Sequence, residues 1–242
     1  MSANGVEEPL LRVDGLHAHY GKSHILRGVS FSLGRGEVLS LLGRNGSGRS
    51  TTLKAVMGLV PPSGGSVALA GRALAGASPH TICRAGLAFV PEEREVFANL
   101  TVDENLRMGE QPPVAGAYRW RTEQMFEYFP RLRERRHTKG GNLSGGEQQM
   151  LTICRSLLGN PLAILIDEPT EGLAPKIVAQ VAECIRDMQR KGVSVVLVEQ
   201  KLAIALKVSS RVCVMGHGRV VFDGSPGQLE ADRELLAQWL AV

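Results

Sequence analysis

An apolar run that leads directly into a glycine-rich turn constrains this chain more than any other feature. The run and the turn read LSLLGRNGSGRSTT (residues 39–52). The turn fits the phosphate-binding pattern G-x-x-x-x-G-K-[ST] over residues 43–50, except that Arg49 stands where lysine is expected. After a strand and before a helix, such a turn points backbone N–H groups at a concave anion site, and the helix dipole adds positive potential.

The residues of this loop have predicted roles in holding a nucleotide and its metal ion. The glycines permit positive φ values and close approach of the backbone to phosphate groups. Ser50 offers a hydroxyl to Mg²⁺, and Thr51 lies at the junction of loop and helix, near the α-phosphate. For the loop taken alone, the alternative is an ordinary glycine-rich turn. The residues predicted to bind the nucleotide here are Gly43, Arg44, Asn45, Gly46, Ser47, Gly48, Arg49, Ser50 and Thr51.

An acidic pair ends a second apolar run, LAILIDEP (residues 162–169). The carboxyl end of a buried parallel strand is where α/β proteins bind ligands. Asp167 could therefore hold the hydration shell of Mg²⁺, and Glu168 could orient and polarise an attacking water. The alternative is a strand that ends in a solvated acidic turn. The glycine loop upstream favours the catalytic interpretation.

The order of strands and helices predicts an α/β fold. Short buried strands at residues 37–43, 86–90, 162–167 and 193–198 alternate with helical stretches, which implies a parallel sheet. Two strands before the loop are predicted to be antiparallel, and a helical lobe is inserted at about residues 97–159. The fold class is thus a P-loop NTPase core of mainly parallel strands with an N-terminal antiparallel β subdomain and an inserted helical lobe. Two small strands and one closing amphipathic helix (residues 225–240) complete a single domain over residues 8–242.

Composition narrows the functional classes. The chain has 242 residues, a formal charge of +4, 43% hydrophobic residues and 5% aromatic residues. No apolar run approaches the roughly 18 residues that cross a bilayer, and the N-terminus lacks the features of a signal peptide. Four cysteines without paired spacing favour a reduced, cytosolic setting. Basic and aromatic residues do not interleave, so nucleic-acid binding is not expected; the basic run at residues 131–139 is either a solvated helix face or a contact for an acidic partner or lipid headgroups.

A third motif begins at Leu143 and reads LSGGEQ (residues 143–148). Ser144 and Glu147 form a capping box, so a helix starts here for local reasons. A capping box does not require two glycines, which cost stability in the first turn of a helix. Serine and glycines at a helix N-terminus make a second phosphate-binding surface. LSGGEQ is the signature motif of ABC ATPases, and with the glycine loop and acidic pair in order the chain resembles that family.

The resemblance implies that two nucleotide-binding domains pair head to tail. Ser144, Gly145 and Gly146 of one domain would then cap ATP held on the loop of the other. The segment EGLAP (residues 171–175) fills the loop that crosses the dimer in this family. ATP and Mg²⁺ are the implied substrate and cofactor.

Three more positions take their roles from the resemblance. Tyr20 stands where an aromatic residue stacks on adenine. Glu92 occupies a position more often held by glutamine, in the loop between core and lobe, and is assigned to the metal with Ser50 and Asp167. Gln200 stands where many relatives have a histidine that contacts the γ-phosphate; its amide can donate a hydrogen bond but cannot carry a proton. The catalytic residues expected are Glu168, Gln200 and Arg49.

One branch of the family matches more closely. VPE-R-VF, LTVDENL, FPRLRERR, DEPTEGLAP and VLVEQ resemble an ATPase subunit of branched-chain (hydrophobic) amino-acid uptake transporters, and the likeness extends over residues 10–240. Importers of urea and short amides look much the same. The branch implies a peripheral subunit on the cytoplasmic face of the inner membrane. Its partners would be transmembrane permease subunits, a second ATPase subunit (identical or not) and, indirectly, a periplasmic binding protein.

Arg49 departs even from that branch. A guanidinium keeps the charge of the loop lysine but is wider, planar and longer, so the exchange is not conservative. Losing an optimally placed donor to transition-state charge costs about 10²–10³ in rate, so the site is expected to be slowed. Because Ser50, Asp167, Glu168 and the signature motif are all present, we expect it to work. The rival is a nucleotide-binding structural subunit with weak hydrolysis at its own loop. A third reading, a soluble ABC ATPase of repair or translation, is disfavoured because the chain has no room for coiled-coil inserts or a tandem domain.

Overall fold

Two sheets form the frame of the chain, described here for residues 8–74 and 76–240 of the computed structural model. The strands, in chain order, are β1 (Leu11–Tyr20), β2 (Ser23–Leu33), β3 (Val38–Leu42), β4 (Pro62–Leu69), β5 (Arg72–Ala73), β6 (Leu87–Val90), β7 (Ala163–Asp167), β8 (Ser194–Val198), β9 (Arg211–Gly216) and β10 (Arg219–Gly224). The α-helices are α1 (Arg49–Val56), α2 (Pro79–Arg84), α3 (Val102–Gly109), α4 (Thr122–Tyr128), α5 (Pro130–Glu134), α6 (Gly145–Leu157), α7 (Pro175–Arg190), α8 (Leu202–Val208), α9 (Pro226–Ala231) and α10 (Arg233–Trp239).

The larger sheet has the strand order β10-β9-β3-β8-β7-β6 and is parallel except at β10. Every residue of β3, β7 and β8 is buried because both faces of this sheet are covered. Leu165 faces a core shared with the smaller sheet and α1, whereas Ile164 and Ile166 face a core shared with α6 and α7. The predicted fold class is confirmed. Because β3, β8 and β7 are parallel neighbours, the three segments that follow their carboxyl ends lie at the same edge of the sheet.

The smaller sheet is antiparallel and has the order β2-β1-β4-β5. Its first two strands were predicted, and their antiparallel pairing is confirmed. The strands β4 and β5 were not predicted, because proline and glycines in PSGGS are typical of a turn. Pairing with β1 sets the structure of β4: Leu11 lies opposite Leu69, and Val13 lies opposite Val67. All four side chains are buried in the core beneath the sheet.

Helices α3 to α6 lie between β6 and β7, at the place predicted for the helical lobe. Capping boxes start two of them, Thr101 with Glu104 at α3 and Ser144 with Glu147 at α6. Within the described chain, the only strand-like pairing of this lobe is an isolated bridge between Thr101 and Lys139. The predicted lobe limits of about 97–159 enclose these helices.

The helix predicted through WRTEQMFEYFPRLRERR is interrupted. α4 ends before Phe129 and α5 begins at Pro130, because a proline disfavours the helical conformation in the residue before it. Phe129 has φ −130° and ψ 75°. Part of the basic run that follows is paired inside the lobe, since Arg136 bonds to Asp103 at 2.9 Å. The basic surface available to a partner is correspondingly smaller than the sequence predicts.

The closing amphipathic helix is also two helices. α9 and α10 are separated at Asp232, which has φ −93° and ψ 82°. The carboxylate of Asp232 accepts a hydrogen bond from the backbone N–H of Leu235 at 2.9 Å and so caps α10. The prediction of one continuous helix over residues 225–240 is therefore wrong: the apolar periodicity continues across the break and hides the cap. Leu229 and Leu235 still pack on the same small core.

A lysine joins the core to the helical lobe. Lys191, which follows α7, has its ammonium 5.5 Å from the ring centroids of Tyr118 and Trp120 and 5.8 Å from that of Tyr128. It also donates a hydrogen bond to the Tyr128 hydroxyl at 3.1 Å and pairs with Asp187. Cation–π contacts of this kind are worth about 0.5–2 kcal/mol each. We call these four residues, Lys191 with its three rings, the lysine clasp.

The helices of residues 8–74 and 76–240 include none that is long and apolar enough to span a bilayer.

Candidate nucleotide site

The loop between β3 and α1 makes a turn that only glycine fits at two positions. Gly43 has φ 148°, and a Cβ there would lie 2.5 Å from the carbonyl oxygen of Met215. Gly48 has φ 103° at the N-terminal cap of α1, and a Cβ there would lie 2.9 Å from a leucine methyl group of β2. The backbone N–H of Ser47 bonds to the carbonyl oxygen of Arg44 at 3.0 Å and closes the turn. This is the backbone shape that a phosphate-binding loop requires.

The loop and the acidic pair meet through Ser50 and Asp167. The Ser50 hydroxyl donates a hydrogen bond to Asp167 Oδ1 at 3.0 Å. Asp167 is fully buried, and its Oδ2 has no hydrogen-bond partner among residues 8–74 and 76–240. Burial raises the pKa of Asp167 to about 6. A buried carboxylate oxygen without a donor is costly unless a cation or water satisfies it, and hydroxyl and carboxylate oxygens suit Mg²⁺.

Glu168 follows in a strained backbone conformation. Its φ is 45°, a left-handed value that is uncommon for a residue with a side chain and costs about 1–3 kcal/mol. Both carboxylate oxygens accept hydrogen bonds: Oε1 from Arg49 at 3.1 Å and Oε2 from the amide of Gln200. The sequence predicted all three as catalytic, and the structure brings them into direct contact.

The electrostatics of Glu168 result from opposing influences. Burial raises its pKa to about 7; the Glu92 and Glu171 carboxylates add to this rise, whereas the Arg49 charge and the Gln200 hydrogen bond oppose it. Burial and the neighbouring Glu171 also raise the pKa of Glu92. A carboxyl group whose pKa lies near ambient pH is well matched to accepting a proton from water.

Arg49 is directed across the loop, toward the ends of β7 and β8. Only 5% of its side chain is exposed. Its guanidinium donates to the carbonyl oxygen of Glu199 at 3.2 Å, to Asn45 Oδ1 at 3.3 Å and to Glu168 Oε1 at 3.1 Å. In this conformation Arg49 forms an ion pair with Glu168.

A polar cavity of about 310 Å³ lies over the loop. On its exposed side, Glu92 and Glu171 each place a carboxylate oxygen within 4.8 Å of Glu168, so three acidic groups share one wall. Glu92, predicted as a metal residue, thus clusters with Glu168 and Glu171. The cavity is lined by Asn45, Gly46, Ser47, Gly48, Arg49, Ser50, Thr51, Glu92, Glu168, Glu171 and Gln200.

Some predicted nucleotide residues do not line this cavity. Gly43 and Arg44, at the start of the loop, are not among its lining residues, and Tyr20 is 50% exposed at the end of β1. The signature residues are at the start of α6 in the lobe, where Ser144 accepts a hydrogen bond from the backbone of Glu147. Gly145 and Gly146 form the first turn of that helix and are absent from the wall.

Arg94 is a site residue that the sequence patterns did not single out. Its φ is 51°, and its guanidinium donates to the carbonyl oxygen of Glu171 at 2.9 Å. A Cβ on Gly145 would lie 2.2 Å from Arg94 Nη1, and one on Gly172 would lie 3.5 Å from Nη2. Arg94 therefore touches both the start of the signature helix and the loop after the acidic pair. Only its place in VPEEREVF signals it.

Glu199 is a second residue whose role the sequence did not predict, because in LVEQ (residues 197–200) only Gln200 matches a position with a known role. The side chain is 2% exposed, and its carboxylate accepts hydrogen bonds from the Thr170 hydroxyl at 2.6 Å and from the backbone N–H groups of Gln200 at 2.9 Å and Lys201 at 3.0 Å. These bonds fix the turn after β8 and with it the backbone of Gln200.

Fold and site together define a P-loop nucleotide-binding domain with an inserted helical lobe. The family model described as ABC transporter matches residues 26–171, which is more than half of the chain. The chain belongs to the ABC transporter family, on the ATP-binding side, and the members of that family hydrolyse ATP.

Relatives agree over nearly the full length. A high-affinity branched-chain amino acid transport ATP-binding protein, BraG of Pseudomonas aeruginosa, is 43% identical over 88% of this chain and 91% of its own. A probable branched-chain amino acid transport ATP-binding protein, LivF of Archaeoglobus fulgidus, is 35% identical over 91% of this chain and 94% of its own. The solved ADP conformation of an ATP-binding cassette of an ABC transporter superposes with a TM-score of 0.79 at 25% identity, covering 96% of this chain and 98% of that one.

Proposed function

We propose that this chain is the ATP-hydrolysing subunit of an importer for branched-chain or other amino acids. One observation carries the proposal: the glycine loop, Glu168 and Gln200 surround one polar cavity, in a chain similar along nearly its whole length to two branched-chain amino acid transport ATP-binding proteins. The subunit would lie on the cytoplasmic face of the inner membrane, attached to transmembrane permease subunits.

The residues around Asp167 fit a divalent cation. The buried Oδ2 of Asp167 has no donor within the described chain, and the Ser50 hydroxyl lies beside the other oxygen of the same carboxylate. Ser50 and Asp167 would hold Mg²⁺, with Glu92 on the exposed side of the cavity. When bound, the cation supplies positive charge to the phosphates of ATP.

The chain's own residues divide the remaining work. The amide groups of the loop and of the first turn of α1 bind the phosphates. Glu168, whose carboxylate reaches the cavity, accepts a proton from the attacking water, and the Gln200 amide orients that carboxylate through its hydrogen bond. The strained backbone of Glu168 aims the side chain and is consistent with a functional role.

The complete site requires a second ATPase subunit. Tyr20 would lie against the adenine, since it is exposed where β1 ends. Ser144, Gly145 and Gly146 would close over ATP on the partner's loop, because they do not line the cavity of their own chain. Gly145 and Gly146 form the first turn of α6, and the N-terminus of a helix favours an anion. The partner ATPase can be an identical or a non-identical chain.

A groove between core and lobe is the proposed contact for a permease subunit. Its volume is about 910 Å³, and its walls include the exposed side chains of Phe97 and Met108. Arg155 stacks on Phe97, with its guanidinium carbon 4.7 Å from the ring centroid. The groove therefore presents a basic side chain next to an apolar one. Val96 and Leu100, the neighbouring apolar side chains of the same segment, are partly buried and do not line the groove. A helix-in-groove contact of the permease would therefore depend on Phe97 and Met108.

Two alternatives remain as competing proposals. The first is a structural subunit with weak hydrolysis at its own loop. The observation that favours it is the Arg49–Glu168 ion pair, in which Arg49 binds a carboxylate oxygen of the proposed base. The second is an importer of urea or short amides, since the ATPase subunit does not touch the solute.

The test is ATP-driven uptake in proteoliposomes that contain this chain with the permease subunits, the second ATPase and the periplasmic binding protein encoded beside it. Radiolabelled leucine should accumulate only with ATP, and Glu168→Gln should abolish accumulation. Uptake of urea or acetamide in place of leucine would reassign the solute. Full leucine uptake in the Glu168→Gln complex would support the structural-subunit alternative.

A further inference from the structure

We propose that Trp239, the last residue of α10, is a positioning residue for the nucleotide site, because its ring holds the turn between β9 and β10 against the glycine loop. That turn consists of His217 and Gly218, and we call it the β9–β10 turn. The inference rests on the proposed role of the loop in binding the phosphates of ATP. It goes further by giving the C-terminal helix a part in nucleotide affinity.

The first support is a hydrogen bond between the β9–β10 turn and the loop. The backbone N–H of Gly218 donates to the carbonyl oxygen of Ser47 at 3.1 Å, and the N–H of Ser47 donates to the carbonyl oxygen of Arg44 at 3.0 Å. Ser47 lines the nucleotide cavity. Its backbone is therefore held at the carbonyl group by the β9–β10 turn and at the N–H group by the loop itself.

The second support is the close fit between the end of β9 and the glycines of the loop. A Cβ on Gly43 would lie 2.5 Å from the carbonyl oxygen of Met215, and a Cβ on Gly48 would lie 3.7 Å from the Cα of Gly218. Closely packed protein interiors transmit strain. A displacement of the end of β9 would therefore be transmitted to the loop.

The third support is the contact of Trp239 with the same strand end. A Cβ on Gly216 would lie 2.2 Å from Cζ3 of the Trp239 ring, so a glycine is needed there to leave room for the ring. The His217 ring meets the Trp239 ring edge-on, with the centroids 5.4 Å apart and the planes at 77°. Trp239 thus contacts the residue before the β9–β10 turn and the first residue of the turn.

The attachment of α10 makes this contact important. Leu235, Leu236 and Trp239 are only partly buried, and they pack on a small core that includes Leu42, the residue before the first glycine of the loop. An aromatic ring contributes a large share of the contact area of such a helix. Without the Trp239 ring, the β9–β10 turn loses its support, and the hydrogen bond of Gly218 to Ser47 weakens.

The experiment measures nucleotide affinity of the full chain by calorimetry, with Mg²⁺ and the non-hydrolysable β,γ-imido analogue of ATP. Trp239→Ala should weaken binding about fivefold, the effect of one lost hydrogen bond. Trp239→Phe keeps a flat ring against Gly216 and should bind within about twofold of wild type. Leu236→Ala is the matched control: it removes an apolar side chain from the same helix, so it should lower the melting temperature and leave the affinity unchanged.

Gly216→Ala tests the contact from its other member. In the wild-type background the new methyl group collides with the Trp239 ring, and binding should again weaken about fivefold. In the Trp239→Ala background the methyl group meets no ring and should add nothing. Such non-additivity is expected when two substitutions remove one shared contact.

The outcomes separate this inference from the proposed function. Wild-type affinity in Trp239→Ala, an equal loss in Leu236→Ala, or losses that add in the double variant would overturn the positioning role of Trp239 while nucleotide binding itself stands. If the analogue does not bind wild type, the proposed function fails and the inference fails with it. A circular dichroism spectrum equal to that of wild type establishes that each variant is folded.

Discussion

Ser50 and Asp167 are 117 positions apart in the sequence, and the hydroxyl of one donates to the buried carboxylate of the other at 3.0 Å. The contact ties the first turn of α1 to the end of β7. The strand that precedes α1 is β3, and β3 is not a neighbour of β7 in the sheet because β8 lies between them. The hydrogen bond therefore links the glycine loop to the acidic strand across the width of β8.

Removal of the Ser50 hydroxyl should raise the requirement for Mg²⁺. In Ser50→Ala one oxygen ligand is lost and the Asp167 carboxylate loses its donor, so the Mg²⁺ concentration for half-maximal hydrolysis should rise about tenfold. The measurement is a Mg²⁺ titration of ATPase activity in the assembled complex. Ser66→Ala, an exposed serine of β4, is the control. Equal Mg²⁺ dependence in both variants would remove Ser50 from the metal site.

Replacement of Glu168 by glutamine keeps its shape but removes the carboxylate. Hydrolysis should fall by about 10²–10⁴, the usual contribution of a general base, while ATP still binds. Single-turnover hydrolysis and equilibrium binding of a fluorescent ATP analogue separate the two effects. Glu230→Gln, at an exposed position of α9, should leave both unchanged. Normal turnover in Glu168→Gln would place the base elsewhere.

The raised pKa values predict loss of activity at moderately low pH. Glu168, with a pKa of about 7, and Asp167, with a pKa of about 6, must be ionised to act, so activity is present above these values and is lost as the pH falls through them. A plot of log kcat/KM, which reports the free enzyme, should bend near pH 7 and steepen near pH 6. A profile that stays flat down to pH 5 would contradict both roles.

Arg94 should position the signature helix relative to the loop after the acidic pair. Its guanidinium bonds to the Glu171 carbonyl oxygen and lies against Gly145. In Arg94→Ala, kcat of the assembled complex should fall about tenfold with KM for ATP nearly unchanged, because one charge-assisted hydrogen bond is lost away from the nucleotide loop. Arg94→Lys should recover part of the loss. A change confined to KM would instead indicate a contact with ATP.

Phe97 should be needed for coupling and not for nucleotide binding. Phe97→Asp places a charge in the groove, where an apolar anchor of the permease would otherwise pack, so leucine uptake should be abolished. ATP affinity of the isolated chain should stay within about twofold, since Phe97 does not line the nucleotide cavity. Leu59→Asp, which changes a side chain of similar exposure after α1, is the control. Wild-type uptake with Phe97→Asp would exclude the groove as the docking site.

The sequence predicted the parallel core well, because burial on both faces makes each strand a continuous apolar run. It failed for β4, whose PSGGS segment reads as a turn and becomes a strand only by pairing with β1. It failed again at Asp232, where the apolar pattern crosses a helix break. In both cases contacts with distant residues, or a local cap, outweigh the periodic pattern.

The site, too, has features that the sequence predicted and features that it did not. The glycine loop, Asp167 and Glu168 are predictable because their spacing carries the chemistry. The Arg49–Glu168 contact is not, because a loop pattern does not state which way a long side chain turns. Arg94 could not be predicted either, since its role depends on contacts with the start of α6 and with the loop after the acidic pair, which only the fold brings together.

The lysine clasp gives the molecule an optical reporter at the joint between core and lobe. The chain contains two tryptophans, Trp120 and Trp239, and only Trp120 belongs to the clasp. In a Trp239→Phe background, intrinsic fluorescence comes from Trp120 alone, with the Lys191 ammonium 5.5 Å from its ring centroid. Any rotation of the lobe that separates ring from ammonium must alter the emission, so nucleotide-driven motion can be followed without an added dye.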